Sequence, residues 1–258
     1  MKTVLHILKV GGHLVNDADA LEEVLTAFAD LEGAKLLVHG GGKHATALAK
    51  LLGISPKMVD GRRITDAAML EVAVMSYAGL SNKKIVSQLQ MQGVNAVGLT
   101  GADGNCIESV KRPVTDIDYG FAGDITQVNT AVFASLTAQN FVPVLCAITH
   151  DNNGQLLNTN ADTIAAQVAK AMSEEYDVTL FYCFEHAGVL KDINKPEHVI
   201  SKLSKEAAET YTKAGVIHQG MVPKLHNGFD ALENGVKEVV ISNIAAILDI
   251  NAPKTTLI

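Results

Sequence analysis

A chain of 258 residues, 48% apolar and 19% charged with six prolines, is long enough for one large α/β domain or two modest lobes, and too apolar to stay disordered. Its net charge of −7 argues against a nucleic-acid binder, which needs a basic face to displace counterions, but leaves room for small anions held by a few lysines. No stretch approaches the roughly 18 apolar residues of a membrane span.

The first apolar run, "VLHILKV", is too short for a signal peptide, is interrupted by Lys9, and reads as a strand. "DADALEEVLTAFADLEG" follows as a helix with acidic residues in its first turn and Gly33 at its end. "KLLVH" reads as a buried strand and "HATALAKLLG" as a helix closed by Gly53. After "VDGRRI", a hairpin edge, Thr65 is the expected cap of a long helical stretch through Gln92. "VNAVGL" is a strand, and residues 101–128, rich in Gly, Asp and Thr, suggest a small antiparallel patch. "NTAVFASLTAQN" returns to helix, "FVPVLCAI" to strand, "THDNNGQLLN" to a turn and "ADTIAAQVAKAM" to helix. "DVTLFYCF" is a strand, "SKEAAETYTKAG" and "VPKLHNGFDALENG" are helices, and "KEVVIS" is a late strand. Such alternation implies a three-layer αβα sandwich, a mainly parallel sheet with helices on both faces. A boundary near residues 172–178 divides one domain, 1–258, into lobes of about 1–175 and 176–258 that share the sheet. Cys106, Cys146 and Cys183 lie far apart without metal spacing and fit reduced thiols, so a soluble cytoplasmic protein is expected.

In sheets of this kind ligands sit beyond the carboxyl ends of the strands. That rule selects Lys9 to Gly12, His39 to Lys43, Gly98 to Gly104 and Phe184 to Gly188, each containing glycine. "GGGKHA" fails the Walker pattern, with Leu37 at the first glycine position and His44 where a hydroxyl belongs. Gly40, Gly42 and Ala45 fit only the looser dinucleotide pattern, and Asp60, about twenty residues on, precedes a glycine in a turn. General chemistry therefore reaches an anion at a helix N-terminus and no further.

Taken together, "LKVGG", "VHGGGK", "GRRIT", "GLTGADG", "NTNAD" and "GMVPK", spread from residue 8 to residue 224, resemble the amino-acid kinase family. Within that family the combination of "GRRIT" and "NTNAD" is similar to the kinases that phosphorylate the side-chain carboxylate of N-acetyl-L-glutamate with ATP in arginine biosynthesis. The resemblance implies that Lys9 and Lys224 meet the transferring phosphoryl group from two sides and that Asp162 organises them. It implies Gly41, Gly42, Arg63 and Asn158 for the acylglutamate, with Arg63 gripping the α-carboxylate, and Gly11, Gly12, Glu185 and Gly188 for ATP. Magnesium is expected on ATP phosphates and water, with no protein ligands. The N-terminal half is expected to bind acylglutamate and dimerise, the C-terminal half to bind ATP. Because the chain begins almost at its first strand, the resemblance further implies an arginine-insensitive homodimer.

Some residues point elsewhere. Lys43 reads as solvent-exposed and His39 as a structural strand-end residue. Where family members commonly carry Thr-Asp-Val-x-Gly, this chain has Phe184-Glu185-His186-Ala187-Gly188, and Gln219 replaces the usual Gly or Asp before Gly220. An N-succinyl substrate, another acceptor within the family (glutamate, aspartate, carbamate or a nucleoside monophosphate), and a non-catalytic sensor on the same fold remain alternatives.

Overall fold

A computed structural model describes residues 2–59, 61–192, 194–217, 220–249 and 251–258; Asp60 and Gln219 lie outside the described residues. Strand β1 (Thr3–Val10) leads through Gly11 into the short α1 (Gly12–Asn16) and then α2 (Ala18–Asp30), capped by Asp17, whose side chain accepts from the Ala20 N–H. Next come β2 (Ala34–His39), α3 (Gly42–Leu51) and a hairpin of β3 (Lys57–Val59) and β4 (Arg62–Ile64). A long rod follows: α4 (Ala67–Val74), a π-helical segment Met75–Ser81, and α5 (Asn82–Met91). Then come β5 (Ala96–Leu99), β6 (Ile107–Lys111), β7 (Gly123–Val128), α6 (Thr130–Ala138), β8 (Val142–Cys146), β9 (Ile148–His150) and β10 (Leu156–Asn158). The rest comprises α7 (Ala161–Met172), β11 (Tyr176–Cys183), β12 (Lys202–Leu203), α8 (Lys205–Lys213), α9 (Val222–Glu233), β13 (Glu238–Ser242), α10 (Ala245–Leu248) and β14 (Thr255–Leu257).

Eight strands form the main sheet in the order β12-β14-β13-β11-β1-β2-β8-β5. From β13 to β5 every pairing is parallel; β14 runs antiparallel to β13 and carries β12 parallel to itself. The strands read as near-continuous apolar runs because both faces are covered. Leu5 and Ile7 of β1 join Leu36, Val38, Leu180 and Ile164 in one core, whereas Leu8 and Val10 join Leu37, Val24, Phe28, Ile85 and Leu89 in the other. Each such fully buried Leu, Ile or Phe contributes about 1.5–3 kcal/mol. The alternation also sets the chemistry. Two residues past Ile7, Lys9 falls on the face covered by α7, in register with Tyr182 of β11.

The small antiparallel patch exists as β6 and β7, and it extends to a four-stranded sheet, β10-β9-β6-β7. Its extra strands come from "THDNNGQLLN", whose ends pair as a hairpin around the expected turn. Thr65 is not the helix cap. Asp66 is, accepting from the Met69 N–H at 2.8 Å, because Thr65 is drawn into a bridge with Gly120. The Thr65 N–H donates to Tyr119 O at 3.0 Å, and its carbonyl accepts from Phe121 N–H at 2.7 Å. Both residues are good caps on local grounds, and the tertiary pairing decides between them.

Candidate active site

Lys9, Asp162 and Lys224 converge from three elements. α7 begins at Asn160, whose side-chain oxygen accepts from the Asp162 and Thr163 N–H groups at 2.8 and 3.1 Å, a cap that fixes Asp162 in the first turn. α9 starts with Val222 and Pro223, preset for a first turn, so Lys224 leans back toward α7. The Lys9 ammonium lies 2.6 Å from Asp162 Oδ1 and the Lys224 ammonium 3.0 Å from Oδ2. Tyr182, beside Lys9 in the sheet, donates its hydroxyl to the Asp162 carbonyl at 3.2 Å. Lys9 and Asp162 are each only 6% exposed. Burial pushes the Asp162 carboxyl up, but the two ammonium groups outweigh it and hold the carboxyl below its ordinary value. Burial pushes Lys9 down, with Asp162 resisting and Lys224 adding to the fall. One carboxylate between two cations leaves a surplus positive charge in a dry place, suited to a group that gains negative charge as it reacts.

Two cavities meet at this cluster. The first, about 310 Å³, is lined by Lys9, Gly41, Gly42, Arg63, Asn158 and Asp162 among others, which brings the expected acceptor residues together. Buried Arg63 donates through Nη2 to Gly42 O and to Thr46 Oγ1, both at 2.9 Å, which locks it against the start of α3. Asn158 donates to Thr65 Oγ1 at 2.9 Å. At Gly41 a side chain has no room, since a Cβ would stand 2.6 Å from Tyr77 Cδ1.

The second cavity, about 490 Å³, is lined by Gly11, Gly12, Glu185, Gly188 and Lys224, and it shares Lys9 and Gly12 with the first. The Gly11 amide donates to Cys183 O at 2.9 Å and ties the loop after β1 to the end of β11. Gly12 is the open position, with nothing within 4 Å of a Cβ placed there. Lys43 is exposed, as expected, yet it also lines this second cavity.

Sequence reasoning missed Tyr77, Arg62 and Arg112 as walls of the first cavity. Tyr77 sits in an apolar helical run that reads as core, and Arg112 lies just past the end of β6 in a stretch without a motif. Arg112 is held by the Asp124 carboxylate and lies over the Tyr119 ring. For magnesium the donor set in the first cavity is poor: among the described residues that line it Asp162 is the one acid, and both its oxygens already face lysines.

A mainly parallel αβα sandwich with two cavities joined over a Lys–Asp–Lys cluster defines a phosphoryl-transfer fold, and the chain belongs to the amino acid kinase family, whose sequence profile matches residues 5–243. Within it, the chain is 54% identical over 96% of its length to the acetylglutamate kinase of Phocaeicola vulgatus, again covering 96% of that protein. It is 53% identical to the acetylglutamate kinase of Bacteroides thetaiotaomicron, covering 96% of this chain and 97% of that one. Among solved structures, that of smu.665 from Streptococcus mutans shares the fold, with a TM-score of 0.83 over 98% of each chain at 22% identity.

Proposed function

We propose that this protein transfers the γ-phosphoryl group of ATP to the side-chain carboxylate of N-acetyl-L-glutamate, forming N-acetyl-L-glutamyl 5-phosphate in arginine biosynthesis. The observation that carries the reading is Lys9, common to both cavities and paired with an Asp162 that also engages Lys224. The acceptor needs no general base, because a carboxylate with a pKa of about 4.3 is already ionised at neutral pH. Its oxygen forms a bond to γ-phosphorus while the bridging oxygen of ADP leaves with its electron pair. The difficulty is electrostatic, an anion brought against a polyanion, so catalysis is positioning plus charge stabilisation. Lys9 and Lys224 supply the charge from the two sides, and Asp162 holds them. Arg63 and Asn158 orient the acylglutamate, the Gly41 and Gly42 amides receive the phosphoryl oxygens, and Gly11, Gly12, Glu185 and Gly188 form the ATP side. Magnesium enters on the nucleotide.

The residues lining the first cavity all precede residue 163, and most of those lining the second follow residue 183, which supports an acceptor half of about 1–175 and a nucleotide half of about 176–258. Three buried free thiols fit a cytoplasmic setting. The rod from α4 to α5 exposes Met75 (49%), Leu80 (46%) and Met91 (72%) beside the open edge strand β5, a surface suited to a homodimer. Light scattering is expected to give twice the chain mass, and a monomer at micromolar concentration would remove that assignment.

N-succinyl-L-glutamate is the second reading, favoured by exposed Arg62, which adds a cationic group to the acceptor cavity beyond Arg63. The test is ADP release with hydroxylamine trapping of the acyl phosphate, run on N-acetylglutamate, N-succinylglutamate, glutamate and aspartate. Turnover is expected with N-acetylglutamate and not with the free amino acids. Preference for the succinyl compound would select the second reading, and no turnover with either acylglutamate would reject both.

A further inference from the structure

His39 is fully buried at the end of β2, directly before the three glycines, and the proposed reaction gives it no task. Its hydrogen bonds nevertheless bear on the acceptor loop. Nδ1 lies 2.7 Å from the Gly40 carbonyl oxygen, which only accepts, so Nδ1 carries the proton. Nε2 lies 3.1 Å from Asn82 Nδ2, which only donates, so Nε2 is the acceptor. The Asn82 amide is oriented independently of His39, because Nδ2 also donates to Val144 O at 2.9 Å and Oδ1 accepts from Lys83 Nζ at 3.0 Å. Gly98 leaves the space for this, since a Cβ there would collide with Asn82 Oδ1.

The Gly40 carbonyl and the Gly41 N–H belong to one peptide unit, and all described peptides are trans, so the two groups point in opposite directions. With the carbonyl held by His39, the Gly41 N–H points away from His39, and no backbone carbonyl among the described residues accepts from it. Gly41 itself lines the acceptor cavity. A peptide flanked by glycines on both sides is the easiest kind to flip. Flipped, it would present a carbonyl oxygen to the incoming anion in place of an N–H. Tyr77 also crowds the loop, with its ring close enough to Gly41 that a Cβ there would stand 2.6 Å from Cδ1. The same rod carries both restraints, Tyr77 in its π-helical segment and Asn82 at the start of α5.

We propose that His39 is a positioning residue that, as a neutral imidazole protonated on Nδ1, holds the Gly40–Gly41 peptide so that the Gly41 N–H faces the phosphoryl acceptor. The role assigned to that N–H rests on the carboxylate-kinase reading above. Burial pushes the imidazole down to about 4, against the pull of the Gly40 carbonyl, so the neutral form persists at working pH.

The first measurement needs no variant and no substrate. Long-range ¹H–¹⁵N correlation on histidine-labelled protein at pH 7 should show one ring protonated at Nδ1 and pyridine-like at Nε2, assigned to His39 by its absence from a His39 variant. The opposite tautomer, or an imidazolium, overturns the proposal whether or not the protein proves to be an acylglutamate kinase. The second measurement compares His39→Asn, whose amide nitrogen falls where Nδ1 sits, with His39→Gln, whose amide nitrogen falls where Nε2 sits. His39→Gln is expected to lose about tenfold to a hundredfold in kcat, on the order of what misplaced reacting groups cost, with the KM for ATP unchanged. His39→Asn should recover most of that loss. Equal losses in the two variants, tracking their losses in thermal stability, would mean that His39 only fills space and would overturn the proposal.

Discussion

Lys9→Ala is expected to lower kcat for acyl phosphate formation by about 10²–10³-fold, the usual cost of removing one preorganised donor at a developing charge. The KM for ATP should change far less, because the nucleotide cavity has many other walls. Two features make Lys9 the more consequential lysine. It borders both cavities, whereas Lys224 lines only the nucleotide side. It is also 6% exposed and grips Asp162 at 2.6 Å, so no water stands ready to replace it. Lys9→Arg is not expected to rescue, since a planar fork does not fit a point-charge site closed on that scale. Steady-state ADP release, checked by hydroxylamine trapping, reads the effect. A kcat within threefold of wild type would remove Lys9 from the mechanism while leaving the reaction intact.

Asp162→Ala should do more damage, to fold and activity together. It leaves Lys9 and Lys224 facing one another without their shared counter-charge, and removing one partner of a buried ion pair costs about 3–5 kcal/mol. Denaturation in urea should show that loss at neutral pH. The pH dependence follows from the lowered pKa. A carboxyl held below its ordinary value of 3.8 contributes stability that is complete above that value and is lost as pH falls through the folded-state pKa. The gap between wild type and Asp162→Ala should therefore close in acid below that value. Residual activity should move the opposite way. Burial already pushes Lys9 down, Lys224 adds to it, and Asp162 opposes both. Without Asp162 the ammonium loses its proton more readily, so what activity remains should rise as pH is lowered, in a profile displaced to the acid side of wild type. A variant with wild-type stability and an unchanged pH profile would show that Asp162 holds neither lysine.

Much of the site was legible because it lies at strand ends marked by glycine. Lys9 is two residues past Ile7 on a strand whose alternation is readable, and Asp162 follows a good cap in a clear amphipathic helix. What periodicity misses is what distant chain segments bring. Arg112 reaches the acceptor cavity because β6 pairs with β7 and β9 in a second sheet, a placement that no local spacing encodes. Tyr77 looks like core because it is core on most sides, 4% exposed, and only the tertiary fold brings it against Gly41 at the cavity wall. The elements that went unread, α1, α10, β12 and β14, have two to five residues each, shorter than a period can register. Thr65 and Asp66 are both good caps on propensity, and the choice is made by an isolated bridge to Gly120, far along the chain.

The place of β1 in the main sheet has a mechanical consequence. It is bonded along six residues to β2, in the proposed acceptor half, and along eight to β11, in the proposed nucleotide half. The two halves are thus welded through the very strand that carries Lys9. Swinging them apart like a hinged clam would tear a main-chain ladder at its centre. Any opening of either cavity would have to come from the elements at its rim, such as the β3–β4 hairpin and the loop between β6 and β7, while Lys9 stays on a strand bonded to neighbours on both sides.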